Sequence, residues 1–153
     1  MITECDWRTI LKDCQIYSRM RCLLAVYAMT PKETTVRKLL PYEQEVASKD
    51  IADLMGISRP SVHVLLDALQ KEGLIYKEHY GRVVLTPPGK KRAAYLRKHI
   101  SFLTDTIAKR LGTTMIESVV LAFQCVDMMS AERVTEIENV GQLYIEEKEV
   151  ISC

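Results

Sequence analysis

The most constraining feature of this sequence is one glycine set between two short apolar-periodic segments, followed by an abrupt change of period. In Ser48-Lys-Asp-Ile-Ala-Asp-Leu-Met55, residues Ile51, Leu54 and Met55 share one helical face. Gly56 follows, the residue type that takes φ > 0 without penalty at a helix end. Ile57 is placed to fill the space between two helices, and Ser58 to cap the second one. Pro60 falls in that helix's first turn, where no amide N–H is needed. Val62, Leu65, Leu66 and Leu69 mark its buried side, and Gly73 stops it. Ser48 is read as the cap of the first helix.

After Gly73 the period changes. Leu74–Lys77 and Arg82–Thr86 are β-type runs around a polar turn, Glu78-His79-Tyr80-Gly81. Helix, glycine turn, helix and hairpin over about forty residues, Val46 to Thr86, predict a winged helix-turn-helix. Thr86-Pro87-Pro88-Gly89 then opens a long helix. Leu96, Ile100, Leu103, Ile107 and Leu111 give it an apolar stripe ending at Gly112.

The rest of the chain also reads as helical. Residues 7–29 carry a stripe of Ile10, Cys14, Tyr17, Cys22, Leu23, Val26 and Tyr27, as one helix or two, closed by Thr30-Pro31. Residues 31–45 read as a loop with some helix. A helix over 113–129 turns Val119, Val120, Phe123 and Val126 inward, and a last one starts at Ser130 with Val134, Ile137, Val140, Leu143 and Tyr144. The predicted fold is therefore mainly α. Residues 1–88 hold N-terminal helices and the winged helix-turn-helix, and residues 89–153 form a helical dimerisation domain.

The net charge of +1 conceals an asymmetry. Residues 46–98 hold ten Lys/Arg against five carboxylates, whereas the remainder holds eleven against fifteen. A basic block inside a balanced chain suits a polyanion-facing surface, and a solvated charged face is the alternative on charge alone. The five cysteines are odd in number and form no CxxC pair, which argues against a disulfide framework and a zinc knuckle. No run approaches the ~18 apolar residues of a membrane span, and the N-terminus has no signal-peptide pattern. The expected location is cytoplasmic. No catalytic motif of the Ser/His/Asp, HExxH or phosphate-loop kind is present, so an enzyme is not expected.

A winged helix-turn-helix presents the start of its second helix to the DNA major groove. Here that start is Ser58-Arg59-Pro60-Ser61-Val62-His63. Arg59 has the fork geometry for a guanine edge or a phosphate. Ser58 and Ser61, with Ser48 from the first helix, are short hydroxyl donors suited to phosphate oxygens, and His63 lies on the outer face. Arg82 and Lys77 would reach double-stranded DNA from the hairpin. The expected DNA-binding set is thus Ser48, Ser58, Arg59, Pro60, Ser61, His63, Lys77 and Arg82.

The run Lys49-Asp-Ile-Ala-Asp-Leu-Met-Gly-Ile-Ser-Arg-Pro-Ser-Val62 is followed by Glu72-Gly-Leu-Ile75 and Val84-Leu-Thr-Pro-Pro-Gly89. Together these resemble the metal-dependent transcriptional repressors of the diphtheria toxin repressor and manganese transport regulator type. The resemblance continues through Arg97-Lys98-His99 to Met129-Ser130, in the two-domain layout. It implies a repressor that acts as a homodimer on a palindromic operator, with half-sites about one helical turn (~34 Å) or a multiple apart, in metal homeostasis.

The resemblance also implies a Mn²⁺ or Fe²⁺ cofactor, and here the sequence departs from the family. His99 matches a ligand and Asp127 replaces one. Leu103, Phe123 and Val126 stand at other ligand positions, as do Arg21 and Leu24 in the first helix. Cys125 and Glu117 are improvised candidates. Three alternatives therefore stay open: a metal-independent regulator with another effector, one gated by thiol oxidation at Cys14, Cys22 or Cys125, and a winged helix used for protein contacts.

Overall fold

The computed structural model describes residues 2–32 and 41–140. The chain divides into two compact units, one spanning Glu4–Arg97 and the other built from Lys98 onward with the first three residues. Among the described residues, no helix is long and apolar enough to cross a membrane.

The first unit opens with α1 (Glu4–Asp13) and α2 (Ser18–Met29). The apolar stripe of residues 7–29 is thus two helices, broken at Tyr17, whose φ of 54° is left-handed. A 3₁₀ turn, Pro41–Gln44, leads to β1 (Val46–Ala47), α3 (Ser48–Met55) and α4 (Arg59–Lys71). Of the expected loop over 31–45, residues 33–40 lie outside the described residues. Then come β2 (Ile75–Lys77), β3 (Arg82–Leu85) and the start of α5 (Pro87–Leu111).

The three strands pair antiparallel in the order β1-β3-β2, with Val46 opposite Val83 and Ile75 opposite Leu85. Side chains alternate across a strand, so Ile75, Val83 and Leu85 all face inward and are buried. They close one side of a core that Ile51 and Met55 of α3 and Val62, Leu66 and Leu69 of α4 complete, with Leu23 and Leu24 of α2 also buried. Each such side chain contributes about 1.5–3 kcal/mol on burial. α2 packs on both α3 and α4, and α1 on α2 and α3. Trp7, the single tryptophan, is 4% exposed, and the Arg97 guanidinium lies over its ring at 5.6 Å from the centroid.

The caps follow the sequence with one exception. Gly56 ends α3 at φ 63°, its N–H donating to Asp53 O, while the Ile57 N–H donates to Ala52 O. Ser58 Oγ accepts from the Ser61 N–H at 3.3 Å. Thr86 Oγ1 accepts from the Gly89 N–H at 3.1 Å and donates to Gly73 O, tying the start of α5 to the end of α4. The exception is Ser48. The N-cap of α3 is Ala47, without a side-chain cap bond, and Ser48 is the first helical residue. Pairing of Val46 and Ala47 with β3 draws the preceding backbone into the sheet and moves the helix start by one residue.

In the second unit, α6 (Met115–Met128) begins at a full capping box. The Glu117 N–H donates to Thr114 Oγ1, and the Thr114 N–H donates to the Glu117 carboxylate. A further helix, α7, covers 131–140 among the described residues, with the Arg133 N–H donating to Ser130 Oγ. Leu143 and Tyr144, expected to extend its stripe, lie outside them. Ile100, Leu103, Val119, Ala122, Phe123, Val126 and Val134 are buried.

Candidate nucleic-acid interface

α3, the Gly56 turn and α4 leave the amino-terminal end of α4 in solvent. Ser58, Arg59, Pro60, Ser61 and His63 are all exposed, while Val62 between them is fully buried and anchors the turn. Proline at the start of α4 removes a donor that would have no intrahelical acceptor. The hydroxyls of Ser58 and Ser61 lie 2.8 Å apart.

The hairpin arches beside this end. Its tip is a 3₁₀ turn, His79–Gly81, closed by the Glu78 N–H donating to Arg82 O at 2.7 Å. Tyr80 at the tip is fully exposed, with a left-handed φ of 59°. Gly81, at φ 71°, packs against the Ser48 side chain. Between the tip and α4 lies a concavity of about 450 Å³ lined by Ser48, Lys49, Arg59, His63, Tyr80 and Arg82, with Ala47 and Gly81. Its eight lining residues include three fixed cations and no carboxylate. The positive end of the α4 dipole adds to the same potential. Such a groove attracts anionic oxygens, and its curvature suits a phosphate-lined ridge.

Five of the eight sequence-expected residues line this groove or its edge: Ser48, Arg59, His63 and Arg82 directly, with Ser58 hydrogen-bonded to Ser61 at the helix start beside them. Pro60 and Ser61 share that exposed first turn. Lys77 is placed differently. Its ammonium donates to Asp67 of α4 at 2.5 Å and holds that carboxyl below its ordinary range, so the lysine braces the wing on α4. Lys49 and Tyr80 line the groove without having been singled out in the sequence. Their part depends on the wing tip meeting the start of α3, which no local pattern announces.

The metal candidates fare otherwise. His99 is 7% exposed, and its Nδ1 lies 2.6 Å from Glu138 Oε1 on α7. Asp127 is exposed on α6. Leu103, Phe123 and Val126 are buried core residues. The Glu117 carboxylate is engaged in the capping box, and hydrogen bonds from Thr114 lower its pKa. Burial raises the Cys125 thiol. Among the described residues, no group of three or more His, Cys, Asp or Glu side chains could hold a metal. A Mn²⁺ or Fe²⁺ ion takes roughly six O or N donors, so the described residues do not fit one.

Residues 37–79 match the model of the IclR helix-turn-helix domain. Among solved structures, the manganese regulator SloR is similar at 22% identity, with a TM-score of 0.55, covering 79% of this chain and 53% of its own. The T. acidophilum IdeR structure is similar at 18% identity and a TM-score of 0.48, covering 92% and 55%. The chain thus spans about half the length of either structure. A comparison with curated protein sequences gives no match. The resemblance to the metal-dependent repressors holds at the level of fold: this chain is a winged helix-turn-helix followed by helices, the architecture also seen in the manganese regulator.

Proposed function

We propose that this protein is a sequence-specific DNA-binding transcriptional regulator, a repressor that acts as a homodimer on a palindromic operator. The observation that carries the reading is the carboxylate-free groove between the start of α4 and the wing tip. In this reading α4 enters the major groove and Arg59 reads a guanine edge. Ser58, Ser61 and Lys49 hold phosphates, and Arg82 follows the backbone beside the wing. Residues 1–88 bind DNA, and residues 89–153 supply the dimer contact. Exposed Ile116, Leu121 and Met128 on α6 support that second role.

A second reading concerns the switch. The His99–Glu138 pair and the buried Leu103, Phe123 and Val126 favour regulation that does not depend on Mn²⁺ or Fe²⁺. Selecting duplexes from a random library with the purified protein, then titrating the selected site at several salt concentrations, tests DNA binding. A steep loss of affinity with salt, and loss of selection with Arg59→Ala, are expected. Repeating the titration in EDTA and in added Mn²⁺ tests the switch. Equal affinities are expected, and binding that appears only with metal would refute the second reading while leaving the first intact.

A further inference from the structure

Arg21 is the most anomalous side chain of the first unit. It lies in the first turn and a half of α2, it is 1% exposed, and among the described residues its Nε and Nη1 donors have no hydrogen-bond partner. An ionised guanidinium taken out of water without a counter-charge is among the costliest arrangements a core can hold. The ionisable groups that favour its charge are the thiols of Cys14 and Cys22. Both are buried, and burial pushes the Cys22 thiol up to about 12 against the pull of the arginine, so Cys22 supplies no anion. Burial likewise acts to lower the pKa of Arg21 itself.

The surroundings point to what is missing. Side chains in a helix lean toward its amino terminus, so Arg21 runs back along the first turn of α2. That turn begins at Tyr17, which is left-handed and makes no side-chain cap bond to the first amides. A twelve-residue helix thus starts without a side-chain cap bond from its N-cap residue, and its first turn and a half carries two unused guanidinium donors. Backbone N–H groups at a helix start and an arginine fork on the same turn are the donor types that bind an oxyanion.

We propose that Arg21 and the amino-terminal turn of α2 form a binding site for a small oxyanion, a carboxylate or phosphate group, which supplies the buried guanidinium's counter-charge. The site is separate from the DNA-facing groove and does not depend on the DNA-binding reading.

The test is thermal denaturation of the full chain with sodium phosphate and, separately, sodium acetate, at constant ionic strength maintained with chloride. The wild-type midpoint should rise with at least one of the two anions, because a ligand bound only by the folded state stabilises it. Arg21→Met should melt no lower than the wild type without either anion. Its anion response should be lost, with affinity at least about tenfold weaker. A preference for phosphate or for acetate identifies the class of oxyanion. An unchanged wild-type midpoint in both anions, or an equal rise in the two proteins, overturns the proposal. Should Arg21→Met not fold, the Nε–H resonance of Arg21 in the ¹⁵N-labelled wild type decides: it must shift during the same titrations, and an unmoved resonance overturns the site.

Discussion

Gly81 and Ser48 meet so closely that a Cβ on the glycine would lie 2.8 Å from the serine hydroxyl oxygen. The wing tip is therefore seated on the first residue of α3, and this seat sets where Arg82 and Tyr80 stand relative to Arg59. Gly81→Ala adds both the contact and the strain of φ 71°. It should cost about 1–2 kcal/mol in urea denaturation and weaken DNA binding by displacing the tip. Gly73→Ala is the control. It shares a positive φ but has nothing within 4 Å of the added carbon, so it should lose less stability and keep its DNA affinity.

Arg59 and Lys77 should separate in a salt titration. Arg59 is exposed in the groove, whereas Lys77 is engaged by Asp67. If Arg59 neutralises a phosphate, Arg59→Ala should reduce the slope of log affinity against log salt by about 0.9. If it reads a guanine, the cost is about 1–3 kcal/mol at one base position. Lys77→Ala should leave the slope unchanged and cost little stability, as expected for a largely solvated ion pair.

The same pair gives a pH dependence. The hydrogen bond from Lys77 lowers the Asp67 pKa in the folded state. A depressed carboxyl contributes stability that is present above the unfolded value, about 3.9, and is lost as the pH falls through the folded value. The difference in melting temperature between wild type and Lys77→Ala should therefore be constant above about pH 5 and close on further acidification.

Gly89 has no room for a side chain. A Cβ there would fall 1.8 Å from the carbonyl oxygen of Leu74, and that backbone atom also accepts the Thr86 N–H. Gly89→Ala must push the hairpin away from α5. It should destabilise by about 3 kcal/mol or more in urea denaturation.

The capping box of α6 offers a milder perturbation. Thr114→Ala removes the acceptor of the Glu117 N–H and should cost about 1 kcal/mol. Equilibrium unfolding followed by circular dichroism measures it.

The winged helix-turn-helix was legible because its signals are local. Gly56, Ser58, Pro60 and Thr86 each state a backbone requirement within a few residues, and the period of two after Gly73 marks the hairpin. Ser48 was misjudged as a cap because the helix start depends on strand pairing of Val46 with Val83, a partner distant in sequence. The charge of Lys77 is visible in the sequence, whereas its partner Asp67, ten residues away on another element, is not. His99 met the same limit: Glu138 lies 39 residues on, and only the fold brings the two together. Solitary polar residues in a sequence carry no record of their partners.

Trp7 has a practical consequence. It is the chain's single tryptophan, and it is held under the Arg97 guanidinium. Its emission therefore comes from one environment, where the N-terminal helix meets the helix leaving the wing. Loosening that junction exposes the indole to water and shifts the emission to the red. The protein thus carries its own optical label there, and detachment of the first helix can be timed without adding a dye.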